Sequence, residues 1–289
     1  MMRRFSAPAK VNLYLRIVGR RGDGYHLLES GMTFFPWFDS LEVQCAGEEG
    51  IALVCRPEVT ASSADNLVYR AARMLQSEAG VVQGARICLT KAIPHGAGLG
   101  GGSSDAATVL LALNRMWGLD WPIGRLCELG LKLGADIPFF LGGKSAKVGG
   151  VGDLLTPYLE CPQLELVVVY PNLALATASV YRGVTPQMIA TGFQRGLEPV
   201  QGLVFQNDLE QVARGVAPVI DTACAILRRL GASVTLMSGS GSAVFGVFDH
   251  ATQALRASQA IAEEHSTWKV QQGRTFNVHP FDLEWQSGI

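Results

Sequence analysis

The chain has 289 residues, of which 48% are hydrophobic and 17% are charged, and its formal net charge is −1. This composition excludes a disordered, collagen-like or coiled-coil protein, and the balanced charge argues against a general nucleic-acid binder. The length predicts one large domain or two modest ones.

The predicted elements mix strands with helices along the chain. Runs rich in β-branched and aromatic residues predict strands over 10–18, 32–45, 85–90, 164–170, 233–237 and 243–248. Hydrophobic periodicity predicts helices over 65–79, 103–117, 122–133, 207–214, 218–230 and 250–264. Strands and helices do not alternate strictly, so we predict an α+β fold rather than a doubly wound sheet.

Three local signals refine this order. Asp65 is expected to cap the first helix and Gly80 to follow its end, while Gly134 is expected to close the third helix. The Gly-rich stretch 142–157 is the best candidate for a crossover between two domains. We therefore place the domain boundary between residues 157 and 158.

The distribution of particular residues excludes other classes of protein. No apolar run reaches the roughly 18 residues of a transmembrane helix, and Lys10 interrupts any signal-peptide core, so no membrane association is expected. The six cysteines form no CxxC pair and the five histidines form no HxxxH or HxH pair. We interpret the cysteines as reduced, mostly core thiols of a cytoplasmic protein.

The segment 94–107 carries the strongest functional signal, because five of the seven residues 96–102 are glycine. Without Cβ atoms the backbone can turn sharply and bring N–H groups close to an anion. Ser103 is expected to cap the apolar helix that follows, whose N terminus adds unpaired donors and a partial positive charge. The segment therefore predicts a phosphate-binding loop rather than a flexible linker.

Two better-known signatures fail here. The residues 96–101 match the dinucleotide fingerprint GxGxxG, but the next helix leads into another helix and not into a strand. Residues 143–145 match the end of a Walker A loop, but position 138, where its first glycine should stand, is proline. The loop belongs to another nucleotide-binding class.

Three motifs, which follow one another along the chain in the order found in the family, resemble those of the GHMP kinases, the superfamily of galactokinase, homoserine kinase and mevalonate kinase. They are the phosphate-binding segment 94–104, the N-terminal Ala9-Lys-Val-Asn-Leu13 and the C-terminal Met237-Ser-Gly-Ser-Gly-Ser242. The resemblance implies a two-lobed fold with the active site between the lobes. The N-terminal, ribosomal-protein-S5-like lobe (1–157) would carry the phosphate loop, and the C-terminal, ferredoxin-like lobe (158–289) would contribute to the substrate site.

Three further segments, 100–105, 23–26 and 133–138, are similar to one branch of that superfamily. Its members phosphorylate the 2-hydroxyl of 4-diphosphocytidyl-2-C-methyl-D-erythritol in the non-mevalonate isoprenoid pathway. The resemblance implies ATP as co-substrate, Mg²⁺ bound with the nucleotide, and a cytidine diphosphate-linked methylerythritol as partner. We expect no nucleic-acid or membrane partner, and a monomer or homodimer. The alternatives are another small-molecule kinase, such as a homoserine or mevalonate kinase, and a non-catalytic ligand sensor.

The resemblance also assigns the chemistry to particular residues. By local context alone, Asp136 is a helix-terminal or salt-bridged carboxylate and Lys10 is a strand lysine with its head in water. The family pattern makes Asp136 the catalytic base and Lys10 its electrostatic partner, which keeps the carboxylate ionised. Asn12, two residues after Lys10 on the same strand face, would contact the methylerythritol hydroxyls.

The ligand-binding residues follow from the same resemblance. Tyr25 would stack on the cytosine and His26 would hydrogen-bond its edge, while Tyr181, near Thr177, would cover the second face of the base. Asn66, Leu67 and Lys91 would line the adenine pocket. The ATP phosphates would meet Pro94, His95, Gly96, Ala97, Gly98, Leu99, Gly100, Gly101, Gly102, Ser103 and Ser104.

Asp105 needs a separate explanation, because an acid beside phosphates should repel them. Two accounts are open: it interacts with the helix dipole in the first turn, or it helps to hold a Mg²⁺ ion. We favour the first, because a single carboxylate is a weak metal site. The protein ligands of any metal remain unknown from the sequence.

Overall fold

The computed structural model describes residues 2–47, 49–191, 199–200 and 202–287. Within these residues the strands are β1 (Met2–Arg20), β2 (His26–Ala46), β3 (Ile51–Arg56), β4 (Gly84–Thr90), β5 (Ala146–Gly149), β6 (Leu154–Pro157), β7 (Glu165–Tyr170), β8 (Gln206–Asn207), β9 (Val234–Met237), β10 (Val244–Phe248) and β11 (Lys269–Arg274). The helices are α1 (Leu67–Ala79), α2 (Gly101–Met116), α3 (Ile123–Leu131), α4 (Ile137–Gly142), α5 (Thr177–Arg182), α6 (Pro186–Thr191), α7 (Glu210–Val216), α8 (Val219–Arg229), α9 (Ala251–Glu264) and α10 (Phe281–Ser287).

The strands form two sheets. In the first sheet the order is β3-β4-β2-β1-β8, and β5 pairs with both β2 and β6. The second sheet has the order β11-β7-β10-β9, with every pair antiparallel. Its strands follow one another in the chain as β7, helices, β9, β10, α9 and β11, which is the βαββαβ ferredoxin-like pattern. The predicted α+β fold with a ferredoxin-like lobe is confirmed.

Each of the six predicted strands and six predicted helices overlaps an element of the structure, with shifted ends. The elements that the pattern missed are short or carry no clear alternation of apolar residues. One example is β11, whose sequence KVQQGR has mostly half-buried side chains. The other missed elements are β3, β5, β6, β8, α4, α5, α6 and α10.

The helix ends differ from the predicted capping residues. Asn66, and not Asp65, caps α1, because its side chain accepts the N–H of Val68 at 3.0 Å. Gly80 follows α1 in the left-handed conformation, as predicted. The helix α3 ends at Leu131, three residues before the expected Gly134.

The described residues form three hydrophobic cores that hold the elements together, and β1 contributes to each of these cores. The first core lies between the first sheet and α1–α4, and the second lies between the second sheet and α7–α9. The third core lies between the two sheets. Phe5 packs in the first core, Val11 in the third and Ile17 in the second.

A register irregularity in β1 decides which side chains face the helices. Phe5 packs in the first core and Val11 in the third, although both are odd-numbered and would share one face of a regular strand. The pairing of β1 with β2 shifts directly after Pro8, and such irregularities re-aim the side chains that follow. As a result, Lys10 and Asn12 take the helix-facing side.

The Gly-rich stretch 142–157 is not the predicted crossover. Its two strands, β5 and β6, form a hairpin attached to β2, so this stretch belongs to the first sheet. Near the other end of the chain, Phe276 forms a bridge with Phe34 of β2, and the ring of Phe281 in α10 lies 5.0 Å from that of Phe5. The C-terminal residues therefore return to the first sheet. The boundary at 157/158 stays a prediction.

Two chemical expectations can be compared with the structure. All six cysteines are free, but only Cys161 and Cys224 are buried, so the thiols are less often in the core than predicted. No helix within the described ranges is long and apolar enough to cross a membrane.

The core between the sheets generates the first prediction. Phe245 on β10 is completely buried there, so Phe245→Ala should lower the free energy of unfolding by about 3–5 kcal/mol. Urea unfolding followed by circular dichroism measures this change. Leu159→Ala is the control, because Leu159 is 80% exposed and its truncation should change stability by less than about 0.5 kcal/mol. Equal effects of the two substitutions would contradict the assignment of this core.

Candidate active site

A cavity of about 980 Å³ lies where β1, the segment 94–102 and α5 meet. Most of the residues that the sequence singled out line it. These are Lys10, Asn12, Tyr25, His26, Leu67, Lys91, Pro94, His95, Gly96, Ala97, Gly98, Leu99, Gly100, Gly101, Gly102, Ser103, Asp136, Thr177 and Tyr181. Asn66 and Ser104 are not part of the lining, since Asn66 caps α1 and Ser104 is fully buried.

The glycine-rich segment 94–102 is shaped by its backbone angles. Gly96, Gly98 and Gly100 have φ values of +65°, +77° and +71°, a region that residues with a Cβ rarely enter. Gly98 also has no room for a side chain, because a Cβ there would lie 2.1 Å from the carbonyl oxygen of Ser238. The sequence requires glycine here both for conformation and for close packing.

Hydrogen bonds hold this segment between the two lobes. The N–H of Lys10 on β1 donates to the carbonyl of Leu99 at 2.9 Å, and the N–H of Ala243 donates to the carbonyl of Ala97 at 3.1 Å. The hydroxyl of Ser238 donates to the carbonyl of Gly98 at 3.1 Å. All three sequence motifs therefore meet at one place.

The helix α2 begins directly at the end of this segment. Gly100 takes the N-cap position and α2 starts at Gly101, so Ser103 lies inside the first turn and is not the cap that the sequence predicted. The first N–H groups of a helix have no partner within it and carry a partial positive charge. Beside the curved glycine backbone, these groups form a site suited to phosphate.

Lys10, Asp136 and Asn12 form a polar cluster on the cavity wall. The Nζ of Lys10 lies 3.7 Å from Oδ2 of Asp136 and donates to Oδ1 of Asn12 at 2.5 Å. The side-chain amide of Asn12 donates in turn to the hydroxyl of Ser30 at 2.8 Å. The Lys10 side chain is 4% exposed, whereas that of Asp136 is 36% exposed. The buried ammonium is thus held in place, and the carboxylate remains open to the cavity.

Two neighbouring rings form a second part of the cavity. The centroids of the His26 and Tyr181 rings are 5.5 Å apart, with an angle of 34° between the planes. Burial lowers the pKa of His26, and Arg20 lowers it further. Burial also raises the pKa of Tyr181, with a smaller contribution from Asp136. Both side chains are therefore neutral at pH 7 and can act as hydrogen-bonding groups.

Tyr25 and Thr177 occupy the edges of this part of the cavity. Tyr25 is 64% exposed, and its ring centroid lies 5.6 Å from the guanidinium carbon of Arg21. The hydroxyl of Thr177 lies 2.9 Å from that of Ser240. Thr177 thereby connects α5 to the C-terminal glycine motif.

Asp105 behaves differently from the favoured sequence interpretation. It is the fifth residue of α2, beyond the first turn, and its Oδ2 lies 2.6 Å from the Nζ of Lys91. The same ammonium also contacts Asp39 on β2. Asp105 is held by this hydrogen bond from Lys91, so its interaction with the helix dipole is a wrong prediction. No cluster of three or more His, Cys, Asp or Glu side chains fit for a metal is found in the part of the chain that the structure describes.

Sequence reasoning missed two buried residues of this region, Asp39 and Asn207. The amide of Asn207 donates to the carbonyls of Met237 and Gly239, at 2.8 and 2.7 Å, and so supports the C-terminal glycine motif. A signal existed for each residue. Asp39 directly follows an aromatic run, residues 34–38, and Asn207 lies in a polar run, Gln-Asn-Asp, directly before apolar Leu209.

Comparison with known proteins gives a consistent set of relatives. Residues 66–144 match the GHMP kinases N terminal domain, and residues 193–267 match the GHMP kinases C terminal domain. A 4-diphosphocytidyl-2-C-methyl-D-erythritol kinase of Ralstonia nicotianae is 43% identical, over 96% of this chain and 95% of that protein. The enzyme of the same name from Variovorax paradoxus is 41% identical, over 95% of each chain.

Solved structures extend the comparison. The crystal structure of a 4-(cytidine 5'-diphospho)-2C-methyl-D-erythritol kinase matches with a TM-score of 0.79 and 38% identity, over 95% of this chain and 99% of that one. Homoserine kinase from Cytophaga hutchinsonii matches with a TM-score of 0.70 but only 16% identity, over 96% and 95% of the two chains. This second match shows a shared fold alone.

The backbone of the glycine-rich segment generates a prediction about stability. In Gly98→Ala, the unfavourable φ alone should lower the free energy of unfolding by about 1–3 kcal/mol. The total loss should be larger, because the new Cβ would also collide with the backbone. Gly102→Ala is the matched control, because its nearest neighbour would be a Leu67 methyl carbon at 3.5 Å. Urea unfolding of both variants checks this. A Gly98→Ala protein as stable as Gly102→Ala would show that this close approach is wrong.

Proposed function

Because the chain belongs to the 4-diphosphocytidyl-2-C-methyl-D-erythritol kinase family of the GHMP kinases, we propose that it phosphorylates the 2-hydroxyl of 4-diphosphocytidyl-2-C-methyl-D-erythritol. As a GHMP kinase it is an ATP-dependent phosphotransferase, and its relatives place it in isoprenoid biosynthesis. The observation that carries the proposal is the pairing of Lys10 with Asp136 on the cavity beside the glycine-rich segment.

In the proposed reaction, Asp136 accepts the proton of the 2-hydroxyl while the oxygen of that hydroxyl bonds to the γ-phosphorus of ATP. The bond from that phosphorus to the bridging oxygen of ADP breaks, and ADP leaves with the electron pair. Phosphoryl transfer demands mainly positioning and stabilisation of charge. The Lys10 ammonium, 3.7 Å from the carboxylate, attracts that carboxylate and holds it on the cavity wall beside the glycine-rich segment.

Asn12 has two parts in this proposal. Its amide oxygen holds the ammonium of Lys10, and one amide N–H binds Ser30. A second N–H remains for a methylerythritol hydroxyl, because an amide nitrogen carries two hydrogens. Asn12 therefore positions Lys10 as well as the acceptor.

The ATP phosphates are proposed to bind the N–H groups of segment 94–102 and of the first turn of α2. The carboxylates near this place are already engaged, since Asp105 pairs with Lys91 and Asp136 pairs with Lys10. The described residues thus offer no protein cage for a metal, and we propose that Mg²⁺ arrives on the nucleotide. When bound there, it neutralises charge on the phosphates.

The cytosine is proposed to lie against His26, with Tyr25 and Tyr181 supplying aromatic faces. The Nε2 of His26 is buried and has no hydrogen-bond partner among the described residues, which is costly unless a ligand supplies one. The neutral imidazole can meet a base edge with one donor and one acceptor.

A cytoplasmic location, a monomer or homodimer, and the lack of nucleic-acid or membrane partners stay predictions of the sequence.

The first prediction from this proposal concerns Asp136. Asp136→Asn keeps the size of the side chain but removes the base, so kcat should fall at least about 100-fold, while the affinity for ATP changes little. A coupled assay of ADP release measures kcat, and calorimetry measures ATP binding. Asp120→Asn is the control, because Asp120 is exposed and lies outside the cavity lining. Near-normal turnover by Asp136→Asn would remove Asp136 from the role of base.

The second prediction concerns the choice of base. A site that hydrogen-bonds a base edge rejects analogues that lack the matching pattern, so the enzyme should prefer the cytidine substrate over its uridine analogue. His26→Ala should raise KM for the cytidine substrate and narrow this preference, with KM for ATP unchanged. The measurement is kcat/KM for both substrates with both proteins. Equal use of the two bases by the unaltered enzyme would contradict the proposed acceptor.

A further inference from the structure

Asp39 binds the backbone at the N-terminal end of the glycine-rich segment. Its carboxyl group is completely buried on β2, and Oδ1 accepts the N–H of Ala92 at 2.6 Å and that of Ile93 at 2.8 Å. These two residues follow β4 and lead directly into Pro94. The position of the backbone that enters the segment therefore depends on one carboxylate oxygen.

The other oxygen of Asp39 is linked, through Lys91, to the C-terminal end of the same segment. It binds the ammonium of Lys91, which lies 2.6 Å from Oδ2 of Asp105 on α2. A Cβ on Gly101, the first residue of α2, would lie only 3.3 Å from this ammonium. Lys91 thus bridges Asp39, which binds the N-terminal end of the segment, and Asp105, which lies near the start of α2.

The charges of this triad, Asp39, Lys91 and Asp105, are buried together. All three side chains are at most 5% exposed, and a buried charge without compensation is strongly unfavourable. Burial and, to a smaller extent, Asp39 raise the pKa of Asp105 to about 8, although Lys91 lowers it. Asp105 therefore holds a proton at neutral pH, and the triad is electrically balanced. Cys55 on β3, whose thiol pKa is raised mainly by burial, also faces these charges.

We propose that Asp39 is a positioning residue for ATP. Through Lys91 and Asp105, it holds the N–H groups of segment 94–102 and of the first turn of α2 in the arrangement that binds the phosphates. The Lys91 ammonium serves this arrangement, and its contact with adenine stays a prediction. The inference rests on the proposed placement of the phosphates at this segment.

Asp39→Asn tests this inference directly. The amide oxygen can still accept from Ala92 and Ile93, and Lys91 and Asp105 remain as a balanced ion pair, so the protein should fold. The dissociation constant of MgATP should rise about tenfold, the loss expected when a charge-assisted hydrogen bond is removed. Calorimetry without the alcohol substrate measures it. An unchanged dissociation constant would overturn the inference.

The matched control is Asp249→Asn, which also removes one negative charge. Asp249 is exposed and lies outside the cavity lining, so MgATP should bind as to the unaltered protein. Because the titration omits the alcohol substrate, it is independent of which alcohol the enzyme accepts. Failure of the proposed acceptor would therefore appear only in the turnover assays, and failure of the present inference only in the nucleotide titration.

The pH dependence separates positioning from a purely structural role. Above about pH 8, Asp105 loses its proton and the triad gains a negative charge beside the phosphates, so MgATP should bind more weakly at pH 9 than at pH 7. Asp105→Asn removes this titration, and Asp39→Asn lowers the pKa of Asp105, because Asp39 no longer raises it.

The ratio to compare is the dissociation constant of MgATP at pH 9 divided by that at pH 7. In both variants this ratio should fall towards the value that the protonation of ATP itself produces. Asp249→Asn should keep the ratio of the unaltered protein. If Asp39→Asn does not fold, Asp105→Asn still decides the question through this ratio. The same ratio in Asp105→Asn as in the unaltered protein would overturn the inference.

Discussion

The close approach of two glycine-rich backbones, at Gly98 and at Ser238–Gly239, is the constraint on which the site depends. A Cβ on Gly98 would lie 2.1 Å from the carbonyl oxygen of Ser238, and one on Gly239 would lie 2.9 Å from the carbonyl oxygen of Gly98. Only glycine tolerates this distance in the left-handed conformation that both residues adopt. The contact brings the second sheet against the segment that precedes α2, and Lys10 of β1 lies directly beside it.

Two buried lysines show how the same kind of side chain serves different ends. Lys10 and Lys91 are each at most 5% exposed, and each has oxygen partners that compensate for its burial. The carboxylate beside Lys10, Asp136, remains 36% exposed and can reach a ligand in the cavity. The carboxylates of Asp39 and Asp105 are almost wholly buried around Lys91. The first cluster is suited to chemistry and the second to holding the backbone.

Much of the fold follows from local signals in the sequence. Hydrophobic periodicity located the long helices and the buried strands, and the glycine cluster 96–102 located the sharply turning segment before α2, because these features depend on neighbouring residues. The hairpin 146–157 escaped this reasoning. Its glycines suggested a linker, and only pairing with β2 makes it part of the first sheet. The strand β11 escaped for the same reason, since its partner β7 lies far away in the chain.

For the site, the sequence by itself determined the glycine-rich segment 94–102 and the residue types around it. The motifs suggested that Lys10 would lie near Asp136, and the structure places them 3.7 Å apart. Only the tertiary structure decided which partners the buried polar groups have, such as Asp39 and Asp105 for Lys91. Local patterns report the periodicity and conformational freedom of the backbone, whereas a buried charge is compensated by whichever residue the packing of distant elements brings beside it.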